Sequence, residues 1–308
     1  MTDAQDPQEN ITETPSAPIK KVYFLQRTYQ RLSRFWAIFT LIAFLLGSFG
    51  GYVVNEQRHA AHDTGSAVSE NTHEADMAEM AHQVNPPDGY TLPASYGAIG
   101  PALIAAGAFE YDVFVQVYEQ AGQPLSEKEL AILTQGSDEA ITINRQNAYF
   151  LLNLFWAFGL TNRNRILTDG PIVERSDGKV EDFASTGGWS LAAKPIPELF
   201  ASAEIVALTP EQQKLVEKVA QDVFRPCCNN PTHFPDCNHG MAMLGLLELM
   251  ASQEASEKEL FEAAKYVNAF WYPSQYMELA TFFQSTMNQE YGDVAPQTVV
   301  GGAYSSGS

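Results

Sequence analysis

All three cysteines of the chain, and two of its six histidines, stand within thirteen consecutive residues: Cys227, Cys228, His233, Cys237 and His239. Soft sulfur and imidazole donors gathered in one loop can bind a thiophilic metal or carry thiol redox chemistry. Cys227, Cys228, Cys237 and His239 together form a Cys₃His set of the kind that closes a tetrahedral site. The spacing is not that of a zinc finger. Adjacent Cys227 and Cys228 direct their side chains differently, so one of that pair with Cys237 and His239 is the easier site to build. Met241 follows Cys237 at helical spacing, and a thioether beside thiolates favours copper(I) over zinc. Copper is therefore the first expectation for the ion and zinc the second.

The same cysteines admit two other readings. One of the vicinal pair could join Cys237 in a structural disulfide, closing a loop of about ten residues for about 2–3 kcal/mol. The domain would then be a helical interaction scaffold. Alternatively, Cys237 attacks and one of the pair resolves, as in a thiol–disulfide redox protein. Three cysteines cannot all pair within one chain. Pro226, Pro231 and Pro235 stiffen the loop by fixing φ, which suits ligands held in place beforehand. Cys237 and Asn238 stand where a helix is expected to begin, and its positive end would lower the Cys237 pKa. His233, between two prolines, reads as a solvated residue, and Met243 and Met250 read as core filling. Arg225 could pair with Asp236 or stabilise a thiolate.

The remaining histidines cluster too. His59, His62, His73 and His82 share a spacer with Met77 and Met80. If residues 73–82 are helical, His73, Met77 and Met80 fall on one face. Such mixed donors resemble the metal-gathering tracts of copper-handling proteins in bacterial envelopes, and they form a secondary capture set. A solvated linker is the plainer reading.

A net charge of −19, from 18 basic and 37 acidic residues, would repel phosphate backbones and disfavours nucleic-acid binding. From Phe35 to Asn55 there is no charge, and about 20 apolar or small residues suffice to cross a bilayer core. Lys20, Lys21, Arg27, Arg31 and Arg34 precede this run and Arg58 alone follows closely. The bias predicts a single-pass signal anchor with a cytoplasmic N-terminus and an extracytoplasmic domain. The apolar run is too long for a signal-peptide core.

The expected organisation is a disordered tail with its basic flank at 1–34, an anchor at 35–55 and the spacer at 56–88. A helical exported domain at 89–291 carries the loop 225–239, and a flexible tail closes the chain at 292–308. Fold class is all-α, with any β-structure expected as a short hairpin between Thr168 and Ser190. Ser126-x-x-Glu129 and Ser256-x-x-Glu259 fit reciprocal helix caps, and Thr209-Pro210 opens a helix over 210–224. Apolar spacing predicts a helix over 139–158, through Ile141, Ile143, Tyr149, Leu152, Phe155 and Trp156. Residues 98–120 read as one helix broken around Gly107, or as two short ones. His239–Ser252 is apolar almost all round, which predicts a buried helix. There is no haem-attachment motif, phosphate-binding glycine loop or serine elbow.

From Leu92 to about Phe283 the chain resembles a group of uncharacterised bacterial membrane-anchored proteins. The likeness rests on Asn147-Ala-Tyr-Phe-Leu-Leu-Asn-Leu-Phe-Trp-Ala-Phe-Gly-Leu, Ser185-Thr-Gly-Gly-Trp, and the run from Arg225-Pro-Cys-Cys-Asn-Asn to Asp236-Cys-Asn-His-Gly-Met-Ala. It implies the anchored architecture and marks the loop, but supplies no mechanism. The donor set points to a binder of ions, with another envelope protein as the partner that receives them, and names no reaction.

Overall fold

Three helices start where a hydroxyl and a carboxyl or amide side chain can satisfy each other's backbone N–H groups. Ser126 with Glu129, Thr209 with Gln212, and Ser256 with Glu259 each form the complete capping box. The computed structural model describes residues 67–307, with side chains from residue 74 onward. These residues fall within one of two compact units, the one spanning Val53–Ser308. The candidate anchor at 35–55 and the tail at 1–34 lie outside the described residues. Among those described, no helix is long and apolar enough to cross a membrane.

Helix α1 (Ala67–Val84) leads into strand β1 (Tyr90–Gly97), α2 (Ile99–Ala106), α3 (Tyr111–Gln120), α4 (Glu127–Gln135) and β2 (Ser137–Ile143). Helix α5 (Ala148–Thr161) follows, and then an irregular stretch with the single turns α6 (Arg165–Thr168), α7 (Pro171–Glu174) and α8 (Ile196–Leu199). The chain closes with α9 (Pro210–Asp222), α10 (Asn238–Ser252), α11 (Glu257–Trp271), α12 (Pro273–Phe282) and α13 (Pro296–Val300). The fold is mainly helical.

Its β-structure lies elsewhere than expected. β1 and β2 pair antiparallel with Tyr90 opposite Ile143 and Thr91 opposite Thr142, and the register shifts before Ser95 and again before Gly97. Leu92, Ala94 and Tyr96 alternate inward from β1, as Ile141 and Ile143 do from β2. Residues 139–143 are therefore strand and not the first turns of a helix. Ile141 and Ile143, two residues apart, share a face only in the strand period, and Asn144 and Asn147 then turn the chain. Asn147 Oδ1 accepts from the Asn144 N–H at 2.9 Å and its Nδ2 donates to the Thr142 carbonyl at 2.8 Å. No strand forms between Thr168 and Ser190. There the turns are fixed by tryptophans: Trp156 Nε1 donates to the Ser185 carbonyl at 2.6 Å and Trp189 Nε1 to that of Ala108 at 2.7 Å.

The centre is the crossing of α5 and α10, both buried on nearly every side. Gly159 and Gly245 permit the close approach. A Cβ built on Gly159 would overlap the Met241 carbonyl oxygen, and one on Gly245 would lie 2.6 Å from that of Phe155. Helix α10 begins at the cysteine loop, so this crossing fixes one side of the candidate site.

Residues 292–307, expected to be a flexible tail, are packed. Val294, Val299, Val300 and Ser305 are buried, and Tyr276 and Ser305 share a hydroxyl hydrogen bond of 2.8 Å. The buried ammonium of Lys265 donates to the Tyr291 and Val294 carbonyls at 2.6 and 3.1 Å. The spacer also joins the body in part. Val84 is buried, the Gln83 side chain bonds Glu290 and Gly292, and Met80 packs against the tyrosine-rich second core.

Candidate metal centre

Loop 223–237 is built on the C-terminal end of α9, whose last carbonyls lack intrahelical partners. The His233 N–H donates to the Ala220 carbonyl at 2.8 Å, and the Thr232 N–H and hydroxyl both reach Val223 O, at 2.8 and 3.0 Å. The Phe224 N–H donates to Val300 O and the Gly307 N–H to Cys228 O, at 2.8 and 2.9 Å, so the closing segment straps the loop from outside. From the other side the Ser185 N–H donates to the Asp236 carbonyl at 3.1 Å. The loop is thus held by backbone bonds at several points.

Arg225, 1% exposed, organises its interior. Nη1 donates to Asn230 O at 2.8 Å. Nη2 donates to Phe234 O at 3.2 Å and to Asp236 Oδ1 at 2.6 Å, and Nε donates to Cys237 Sγ at 3.1 Å. Asp236 is completed by Asn230, whose Nδ2 lies 2.7 Å from Oδ2. Gly240 leaves room for this cation against the first turn of α10, since a Cβ there would overlap the guanidinium carbon. A buried guanidinium at a helix N-terminus needs negative partners, and here they are the Asp236 carboxylate and the Cys237 sulfur.

Cys237 is the N-cap of α10, and its sulfur accepts the Gly240 N–H at 3.4 Å. The Cys227 sulfur lies 3.3 Å from it, and all three cysteine sulfurs fall within 4.8 Å of one another. All three cysteines are free. Hydrogen bonds from Cys227 and Cys228, followed by the charge and Nε–H of Arg225, hold Cys237 far below an ordinary thiol, against the opposing effect of burial. Cys227 is held far above, first by its bonds to Cys228 and Cys237 and then by burial. Cys228 is lowered by its bond to Cys227, but the bond to Cys237 and burial outweigh this and leave it raised. One thiolate and two thiols therefore share the cluster.

The structure brings Cys227, Cys228 and Cys237 together and leaves the other expected ligands out. Among the described residues this trio alone could close on an ion. The His239 ring is buried against Tyr272, with centroids 4.6 Å apart, and edges Trp271 at 5.8 Å. Its Nδ1 lies 3.0 Å from Asn238 Oδ1. Burial first, opposed by Cys237 and aided by Arg225, pushes its pKa down to about 4, so the ring is neutral. Met241 is fully buried in the core, as are Met243 and Met250. His233 is half-buried and stays outside the trio. The easier three-ligand site expected from the sequence, with His239 replacing one cysteine, is thus not the one assembled. The loop returns on itself through Arg225, which lets both vicinal sulfurs face Cys237.

Of the spacer donors, His59 and His62 lie outside the described residues, and His73 is described only as part of α1. Met77 and His82 are exposed, whereas the Met80 sulfur lies 3.5 Å from the Thr281 hydroxyl. Among the described residues, no group of three His, Cys, Asp or Glu gathers around them.

Sequence reasoning missed Tyr272. Its hydroxyl is buried without a hydrogen bond of ordinary geometry, yet it is near enough to Cys227 that this thiol, after burial, pushes its ionisation up. The strap at Gly307 was equally hidden, because a Gly/Ser-rich end carries no side-chain signal for docking. Compared with family models, curated proteins and solved structures, the chain matches none.

Proposed function

We propose that the chain is a membrane-anchored, extracytoplasmic binder of a thiophilic metal ion, copper(I) first and zinc second, held by Cys227, Cys228 and Cys237. The observation that carries this reading is the convergence of three free sulfurs within 4.8 Å. Zn–S bonds of about 2.3 Å span sulfurs at such spacings with little movement. Zinc in a structural site, however, takes four protein ligands, and among the described residues three are gathered here. Asp236 is engaged by Arg225 and Asn230, and His239 by Asn238. Soft sulfur alone is the environment that favours copper(I). The guanidinium beside Cys237 offsets part of the negative charge that three thiolates would bring.

The anchor rests on the uncharged run Phe35–Asn55 and its basic flank. Met77 and His82, exposed on α1, would supply weaker holding points for ions in transit to another envelope protein. To test the reading, the full chain is purified anaerobically in detergent, loaded with copper(I) or zinc, and assayed for bound metal. One ion per chain is expected, lost in Cys227→Ser, Cys228→Ser and Cys237→Ser and retained in His239→Ala. Metal retained in Cys237→Ser, or absent from the loaded wild type, refutes it.

A further inference from the structure

The three sulfurs are not equivalent in access. Cys227 is exposed, whereas Cys228 and Cys237 are partly covered. Cys227 is the exposed residue of the three, and its sulfur lies 3.3 Å from that of Cys237. Cys237 accepts two N–H groups, from Arg225 and Gly240, and is fixed at the head of α10. Cys228 is pinned differently. Its N–H donates to Arg225 O at 3.4 Å, its carbonyl accepts the Gly307 N–H at 2.9 Å, and its thiol lies 3.9 Å from Asp236 Oδ1. A bond from Cys228 to its neighbour Cys227 would have to distort the peptide between them.

We infer that Cys227 is a site of thiolation by low-molecular-weight disulfides, resolved by Cys237 into a Cys227–Cys237 disulfide that leaves Cys228 free. In the first step the Cys227 thiol passes its proton to the Cys237 sulfur 3.3 Å away and, as thiolate, attacks the small disulfide. One Cys227–S bond forms, the incoming S–S bond breaks, and the first small thiolate leaves. In the second step Cys237 gives that proton to the first small thiolate and attacks the Cys227 sulfur from its inner side. The outer S–S bond breaks opposite to it, so the second small thiolate departs into solvent. The reacting pair loses two electrons and one proton, and the small disulfide becomes one thiol and one thiolate, the latter taking its proton from solvent. Closing the bond asks the sulfurs to approach by about 1.3 Å from 3.3 Å, a movement available to the loop cysteine. Resting on the metal-binding reading is one consequence: oxidation removes two of three ligands and releases the ion.

The experiment treats the metal-free full chain in detergent with oxidised glutathione, blocks remaining thiols, and maps the disulfides by mass spectrometry. Wild type is expected to show Cys227–Cys237 with Cys228 blocked. Cys237→Ser is expected to stop at a persistent glutathionyl mass on Cys227, and Cys227→Ser to form no intramolecular bond. An adduct resting on Cys228, a Cys227–Cys228 or Cys228–Cys237 bond, or no adduct in Cys237→Ser overturns the proposal. In parallel, copper-loaded chain is oxidised and the released ion counted with a chromogenic chelator. A correct disulfide map in a chain that never held metal would sink the metal reading and leave the thiolation site standing. Bound copper with no disulfide would do the reverse.

Discussion

Arg225→Lys keeps the positive charge and discards the fan of donors, so it isolates what the guanidinium geometry contributes. The native side chain makes four hydrogen bonds from a 1% exposed position, to Cys237, Asn230, Phe234 and Asp236. A lysine ammonium is a point charge that can stay with Asp236 but cannot also reach the two carbonyls and the sulfur. Leaving the Asn230 and Phe234 carbonyls without donors costs about 1–3 kcal/mol each. The expected loss is thus about 2–4 kcal/mol, after allowing for partial rescue by water at Asn230, which is only half-buried. Urea unfolding followed by circular dichroism should show the midpoint falling by about 1 M with the slope unchanged, taking a slope near the upper end of the usual range. Arg225→Met should cost more, because it also strands Asp236 beside the helix N-terminus. If Arg225→Lys unfolds within about 0.5 kcal/mol of wild type, the value of an ordinary surface substitution, the guanidinium is not the hub described.

With one thiolate and two thiols in the resting cluster, metal binding must expel two protons, so affinity should rise about 100-fold per pH unit across neutrality. Chelator competition at several pH values checks this, and a one-proton slope would contradict the assignment of Cys237 as the sole thiolate. Glu248, fully buried with Asn162 Nδ2 at 2.6 Å from one carboxyl oxygen, is held by burial well above a normal carboxylate, although the Asn162 bond lowers it. The unfolded chain ionises this group near pH 4.3, so native stability falls by about 1.4 kcal/mol per unit as pH rises above that value, until the folded group also ionises. Glu248→Gln should therefore raise stability at neutral pH by about 1–3 kcal/mol and flatten its pH dependence over that window. Thermal melts that show the variant less stable than wild type at neutral pH would contradict this. Gly245→Ala should destabilise by about 1–3 kcal/mol despite the better helix propensity of alanine, since its methyl meets the Phe155 carbonyl at the helix crossing. Unchanged unfolding would mean that the two helices are free to separate.

How much of this was legible in the sequence depended on how local the determining interactions are. The caps at Ser126, Thr209 and Ser256 act over three residues and were readable, as was the buried character of 239–252. The strand at 137–143 was not, because its partner Tyr90–Gly97 lies three helices earlier and no turn joins them. Ile141 and Ile143, two apart, carry a strand period, but the helical run of Tyr149, Leu152, Phe155 and Trp156 directly beyond them masked it. At the site, the clustering of sulfur was plain from spacing alone. Which donors converge was not, because Trp271 and Tyr272 arrive from another helix to occupy His239. Arg225 could be named as a candidate partner of Asp236, but only the fold of the loop shows one guanidinium serving two carbonyls, a carboxylate and a sulfur together. The closing Gly/Ser segment misled because its anchorage is mostly backbone bonding, which composition does not encode.

The placement of Gly245 two turns into the helix that Cys237 caps makes the trio mechanically lopsided. Cys237 is mounted on the closely packed helix crossing, while its two companions ride on a tethered loop. An arriving ion would dock against a fixed post and be clasped from the solvent side by the pair, so release should begin with Cys227 and Cys228 letting go.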